Sequence, residues 1–324
     1  MGYGRYVTAR VLWAAIVAYI IATVSFLIMA FSPDPAVQQA VTQAALQGGD
    51  PGEAIERTRE LRGLNEPLWV RYRDFIVSVA TLDWGWSSMR SQPVVDALLE
   101  SLYYTAQYSI PWTILTVIIG PIVGLYSSAN KYSWRDHLAT GFAFFGYAIP
   151  NFFFAIILLL IFGIWLEWVP IIYKVDAPVF SVQNVIQLAL PVFVLVTGSI
   201  GGLMRVSRNE SSEYMNADFV KTARAKGVSP LRAYALHILR PTMVPLSTTM
   251  VGQLLLLFAG SSILVEVVFS IPGLGRTLFR SAVEQDTNLV LGSVLVFVFV
   301  GVIGNLLQDL VYTLLDPRIS YEDR

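Results

Sequence analysis

Six apolar stretches, each long enough to cross a bilayer, leave this chain few folds to choose from. They cover residues 11–31, 102–126, 138–168, 185–204, 244–269 and 289–314. A spanning helix needs roughly 20 mostly apolar residues to cross about 30 Å of hydrocarbon. Composition agrees: 55% of residues are apolar and 14% charged, with a mean hydropathy of +0.59, whereas a soluble domain carries about a quarter charged residues. The expected fold is an all-α integral membrane protein with six transmembrane helices. The first stretch follows Arg5 and Arg10 as a signal peptide would. Its apolar run of about 21 residues exceeds a signal core of roughly 7–15, so it reads as an uncleaved span.

Several function classes are disfavoured at once. With 22 basic and 23 acidic residues, net charge −1, the chain lacks the basic excess that nucleic acid demands. It has no cysteine, and its two histidines, His137 and His237, lie far apart, so no bound metal is expected. No G-x-x-x-x-G-K-[ST] phosphate loop occurs; any nucleotide must bind another subunit, and the chain is not expected to be an enzyme on its own. An ion-coupled carrier keeps costly ionisable groups inside its spans. Here Glu266, Asp309 and Glu167 read as lying within a turn or two of span ends, where water contact or snorkelling relieves that cost.

Six spans put both termini on one side. With the N-terminus cytoplasmic, thirteen basic residues fall in inner segments, while the two short outer loops carry only Lys174, Arg276 and Arg280. The positive-inside rule then makes both termini cytoplasmic. The division is 1–31 for the N-terminal segment and first span, 32–98 for an extracytoplasmic insert, 99–315 for the other five spans and 316–324 for a cytoplasmic tail. Trp84, Trp86, Trp165 and Trp168 sit near expected outer boundaries, where amphipathic rings favour the headgroup level. Within the insert, 37–47 and 53–61 read as short helices split by a Gly/Asp/Pro breaker run at 48–52. Trp69, Tyr72, Phe75, Ile76 and Val79 form one apolar helical stripe, expected to pack on neighbouring spans.

The spans carry close-approach and polar features. Gly120 with Gly124, and Gly198 with Gly202, are G-x-x-x-G pairs that let helix backbones meet, within the chain or with a partner. Pro150 interrupts the third span and predicts a kink. Asn151 beside it either faces a translocation route or satisfies the broken helix. Thr197, Ser199 and Gln253 complete a scattered set of polar groups that could line a path.

The stretch 205–240 is charged from Arg205, Arg208, Glu210 and Glu213 onward and reads as a cytoplasmic loop. Asp218 is the expected cap of a helix over 219–226, with Gly227 as its stop. Ser229 and Pro230 then open a second helix to about Leu239. Phe219 and Ala223 share one face at i, i+4, with Lys221, Arg224 and Lys226 around the rest. Such a knob suits a groove on another protein; the alternative is an ordinary solvated loop.

The run Asp218-Phe219-Val220-Lys221-Thr222-Ala223-Arg224-Ala225-Lys226-Gly227, followed by His237-Ile238-Leu239-Arg240, resembles the "EAA" loop of binding-protein-dependent ABC importer permeases. The likeness is to the dipeptide/oligopeptide/nickel branch. Pro241 stands where that branch has Asn, which bears on how the second helix joins the fifth span. Further matches follow in order. Ser32-Pro33-Asp34-Pro35 comes after the first span, and Leu64-Asn65-Glu66-Pro67 and Leu82-Asp83-Trp84-Gly85 lie in the insert. Val265-Glu266-Val267-Val268-Phe269-Ser270-Ile271-Pro272-Gly273-Leu274-Gly275 precedes the last span, and Asp316-Pro317-Arg318 closes the chain.

The resemblance implies a type I importer permease that pairs with a second permease subunit, usually a different chain. Two ATPase subunits binding ATP-Mg would dock on the loop residues Asp218, Phe219, Lys221, Thr222, Ala223, Arg224, Ala225, Lys226 and Gly227. An external binding protein would deliver a dipeptide, oligopeptide, nickel or sugar. The turn holding Pro272, Gly273 and Gly275 leads to an expected helix over 276–284; it closes an outer gate, contacts the binding protein, or simply links helices. Two other function classes fit the residues alone: an uncoupled channel or facilitator, and a membrane anchor for a cytoplasmic partner.

Overall fold

The computed structural model describes residues 3–215, 217–259 and 262–315, and they are overwhelmingly helical. Helix α1 (Tyr3–Phe31) leads into two short helices that share one starting device. Asp34 caps α2 (Pro35–Gln47) by accepting from Ala36 N, and Asp50 caps α3 (Pro51–Leu61) by accepting from Gly52 N. In both a proline holds the first helical position, where its missing N–H costs nothing. Gly48, at φ +71°, ends α2, and the break covers only 48–50 of the expected breaker run, because Pro51 and Gly52 already belong to α3.

Helix α4 (Leu68–Thr81) buries Phe75. With Tyr72, Ile76 and Val79 it packs on Phe26 and on Leu295. The stripe is a packing face, except that Trp69 stays 67% exposed. A small hairpin not foreseen in the sequence, β1 (Trp86–Ser87) against β2 (Gln92–Pro93), follows in antiparallel register.

Helix α5 (Val94–Ala129) has 36 residues, about 54 Å at 1.5 Å per residue, so it overshoots a bilayer core by several turns. It packs most extensively on α8 (Val182–Met215). A methyl at Gly120 would fall 2.8 Å from Leu203 Cβ, and one at Gly124 would meet the Met204 carbonyl and Ser207 Cβ. Both glycines are therefore contacts within the chain. Gly198 packs on the Asn151 amide, while Gly202 faces open space.

Between these long helices the predicted kink is a full break. Helix α6 (Trp134–Ala148), started by Ser133, and α7 (Asn151–Leu159), which runs into a π-helical turn at Leu160–Trp165, meet at 98°. Ile149 and Pro150 are both extended (ψ 129° and 127°); the proline disfavours the α region for its predecessor and cannot donate back. Among the described residues four helices are long and apolar enough to cross a membrane, or five if the bent pair counts as one.

After α8 come α9 (Asp218–Ala225) and α10 (Pro230–Ala233). The second loop helix does not end near Leu239 as expected. It passes through a π-helical turn at Tyr234–Ile238 straight into α11 (Leu239–Ala259). Pro241 has no N–H to send to the His237 carbonyl, and the widened turn lies where that α-helical bond would be missing. Helices α12 (Ile263–Val268), α13 (Leu274–Val283) and α14 (Thr287–Leu315) complete the described chain. The Asp316-Pro317-Arg318 motif lies outside the described residues.

Candidate functional site

The 205–240 stretch begins deeper in helix than its charges suggest, because α8 continues to Met215. Ala217, in an extended conformation, is the N-cap of α9 and makes no side-chain bond. Asp218 is not the cap; it is the first helical residue, and its carboxylate pairs with Lys221 at 3.0 Å. At the other end Gly227 sits at φ +82°. Gly227 N donates to Arg224 O (2.9 Å) and Val228 N to Ala223 O (3.2 Å). This 5→2 and 6→1 pair is a Schellman stop, which favours glycine at the left-handed position.

Phe219 and Ala223, read from the spacing as one partner-facing side, part company in the fold. Val220 (0% exposed) and Ala223 (8%) anchor the helix, whereas Phe219 is 48% exposed, its ring 6.4 Å from Tyr214. Asp218, Lys221, Thr222, Arg224, Ala225, Lys226 and Gly227 are exposed as well. The outward surface of α9 is thus one half-exposed aromatic ring amid three cations, one of them paired with Asp218, on a helix stopped at its C-terminus by Gly227. Val220 was missed because Phe219 and Val220 are adjacent apolar residues, and spacing alone does not say which one tertiary contact will cover.

Near the N-terminal third of α5 lies a second constellation. Glu266, expected at a wet span end, is fully buried. Its carboxylate accepts from Thr105 Oγ1 (2.8 Å), Tyr108 OH (2.7 Å) and Arg276 N (2.8 Å). Charge-assisted bonds to a helix N-terminus and two hydroxyls replace water. The turn 270–275 is wrapped around this carboxylate. A methyl at Gly273 would collide with it, Leu274 N donates to Thr105 Oγ1 (2.9 Å), and the Arg276 guanidinium donates to the Ser270 carbonyl. Gly273 and Gly275 are buried and Pro272 partly so, and α13 starts two residues earlier than expected. Burial lowers the Arg276 pKa, helped by neighbouring Arg280 and Arg90.

Of the scattered polar groups, three gather along α8. Asn151 packs on Gly198 at the α6–α7 break. Thr197 is buried and donates to the carbonyls of Phe193 (3.0 Å) and Val194 (2.9 Å). Ser199 accepts from Trp112 Nε1 at 3.1 Å. Gln253 lies on α11, with its side chain outside the described set. Buried hydroxyls that went unnoticed in the sequence are Thr113 and Thr116 on α5, without a hydrogen-bond partner among the described residues. Beyond α7, Tyr173 donates to Gln107 and Asn184 (3.1 and 3.0 Å), and burial pushes its phenol up to about 12.

Residues 117–321 match the family described as the binding-protein-dependent transport system inner membrane component. The chain belongs to that family. It is similar along nearly its whole length to a Brucella abortus protein named as a peptide transport system permease, 33% identical over 97% of this chain and 98% of the relative. The oligopeptide transport system permease protein AppB of Bacillus subtilis is 32% identical over 98% and 99%. OppB of Haemophilus influenzae, an oligopeptide transport system permease protein, is 27% identical over 98% and 99%. The chain is a multi-pass membrane permease of the type I ABC importer class.

Proposed function

We propose that this permease is one transmembrane subunit of an ATP-driven importer for peptides, moved by separate ATPase subunits that grip α9. The observation that carries the reading is the outward face of α9: Phe219 half exposed among Lys221, Arg224 and Lys226 on a helix closed at its C-terminus by the Gly227 stop. A rigid aromatic anchor with flanking cations suits a groove on another protein. The peptide cargo follows the names of the relatives.

In this reading the six spans are α1, α5, the bent α6–α7 pair, α8, α11 and α14. Both termini face the cytoplasm, as the basic residues argue. Segment 32–98 and the turn with Pro272, Gly273 and Gly275 face outward, where the turn acts as the outer gate. ATP-Mg binds the ATPase subunits, a second permease completes the pathway, and an external binding protein delivers the cargo. Asn151 at the α6–α7 bend is the polar group we assign to the pathway, since Thr197 donates to carbonyls of its own helix and Ser199 accepts from Trp112.

Affinity purification of the tagged chain from its native membrane tests the assembly. The expected result is recovery of a second permease and two ATPase subunits, the latter lost on Phe219→Ala. Recovery of the chain alone, with solute conductance in bilayers, would overturn it in favour of a channel.

A further inference from the structure

The segment bearing α9 is tied at both ends to one place, the C-terminal end of α5. On its entry side, Ser211 on α8 donates to Ser128 Oγ at 2.6 Å. On its exit side, Tyr234 in the π-helical turn shares a hydrogen bond with the same Ser128 at 3.0 Å and donates to the Leu125 carbonyl at 2.7 Å. Beside them Arg208 forks onto Asp136 of α6, Nε to Oδ1 at 3.1 Å and Nη2 to Oδ2 at 2.8 Å, and Nε also reaches Ser127 Oγ at 3.0 Å. The Asp136 carboxylate, 2% exposed, accepts further from Tyr132 N at 2.9 Å, Thr140 Oγ1 at 3.3 Å and the Ser127 hydroxyl.

These bonds define a mechanical path. Helices α5 and α8 are locked backbone to backbone at Gly120 and Gly124 and must shift as a block. Helix α6 is capped by Ser133 and turns away at the 98° break, so at this end it follows the block through the Arg208–Asp136 fork. A planar guanidinium on a buried carboxylate resists both sliding and rotation, which a point charge does not.

We propose that Arg208, Asp136 and Tyr234 are positioning residues for transport: they convert displacement of α9 into movement of α5 and α6, and so set how much cargo moves per ATP. This rests on the reading of α9 as the ATPase-docking lever.

The test uses the complete transporter (both permeases, ATPase subunits and binding protein) in proteoliposomes, with labelled trialanine as cargo. Tyr234→Phe deletes one hydroxyl, and Arg208→Lys keeps the charge but loses the fork; neither empties a core. Each variant is expected to keep its ATPase subunits and continue to hydrolyse ATP, while trialanine uptake per ATP falls roughly tenfold, within the range usual for coupling between sites. Unchanged uptake per ATP, or uptake and hydrolysis falling in equal proportion, would overturn the proposal and leave these residues as pins of the fold. A parallel arm cross-links Lys221→Cys to the ATPase. Absence of that cross-link in the otherwise unmutated transporter sinks the lever reading, whereas its presence with unchanged uptake per ATP sinks the coupling role alone.

Discussion

Glu266 and Tyr108 meet at 2.7 Å, the phenol donating to the carboxylate, at a place where both side chains are fully buried. With Thr105 and Arg276 N on the same carboxylate, the turn before α13 is held to α5 by a satisfied buried anion. Glu266→Ala would remove the buried acceptor that Thr105, Tyr108 and Arg276 N share, a loss of about 3 kcal/mol or more. Glu266→Gln keeps one acceptor oxygen and should cost less. Thermal unfolding in detergent is expected to rank wild type above Gln and Gln above Ala; equal midpoints would contradict the network.

The two G-x-x-x-G pairs separate in the same assay. Gly124→Val drives a side chain into the Met204 carbonyl and Ser207, an overpacking of about 1–3 kcal/mol. Gly202→Ala meets nothing within 4 Å and should gain up to about 1 kcal/mol from helix propensity. A matching loss at both positions would mean that Gly202 is covered as well.

At α9 the contrast lies between adjacent residues. Phe219→Ala removes a half-exposed ring and should leave the melting temperature unchanged while weakening ATPase association at least about tenfold, as loss of an aromatic anchor does. Val220→Ala removes a fully buried side chain and should lower stability. Co-sedimentation of ATPase with permease-containing nanodiscs measures the first effect, and thermal unfolding the second.

Gly227 calls for a conformational test. Its φ of +82° has no steric neighbour within 4 Å, so any penalty there comes from the backbone alone. Gly227→Val should strain the Schellman stop by about 1–2 kcal/mol and reduce ATPase stimulation. Gly227→Asn, a residue that tolerates the left-handed region, should largely preserve it.

What the sequence made legible follows from where each signal resides. Four of the long apolar helices and the Gly227 stop are local patterns, and each stands in the structure as residues and immediate neighbours dictate. Pro150 marked the break in the third span, but its 98° depends on where α8 receives Gly146 and Asn151. Glu266 looked like a span-end charge because its donors, Thr105 and Tyr108, stand about 160 positions away. Phe219 and Val220 were ambiguous for a related reason: an eight-residue helix with adjacent apolar residues has two possible buried faces, and α10 and its following turn choose between them. The Arg208–Asp136 fork joins residues 72 positions apart, with nothing in either local pattern to announce the other.

The most direct measurement is trialanine uptake into liposomes holding the two permeases and the binding protein, with ATPase subunits and ATP supplied or withheld. Accumulation against a gradient is expected only when both ATPase subunits and ATP are present, and is abolished by Phe219→Ala. Uptake at full rate without the ATPase subunits would contradict it.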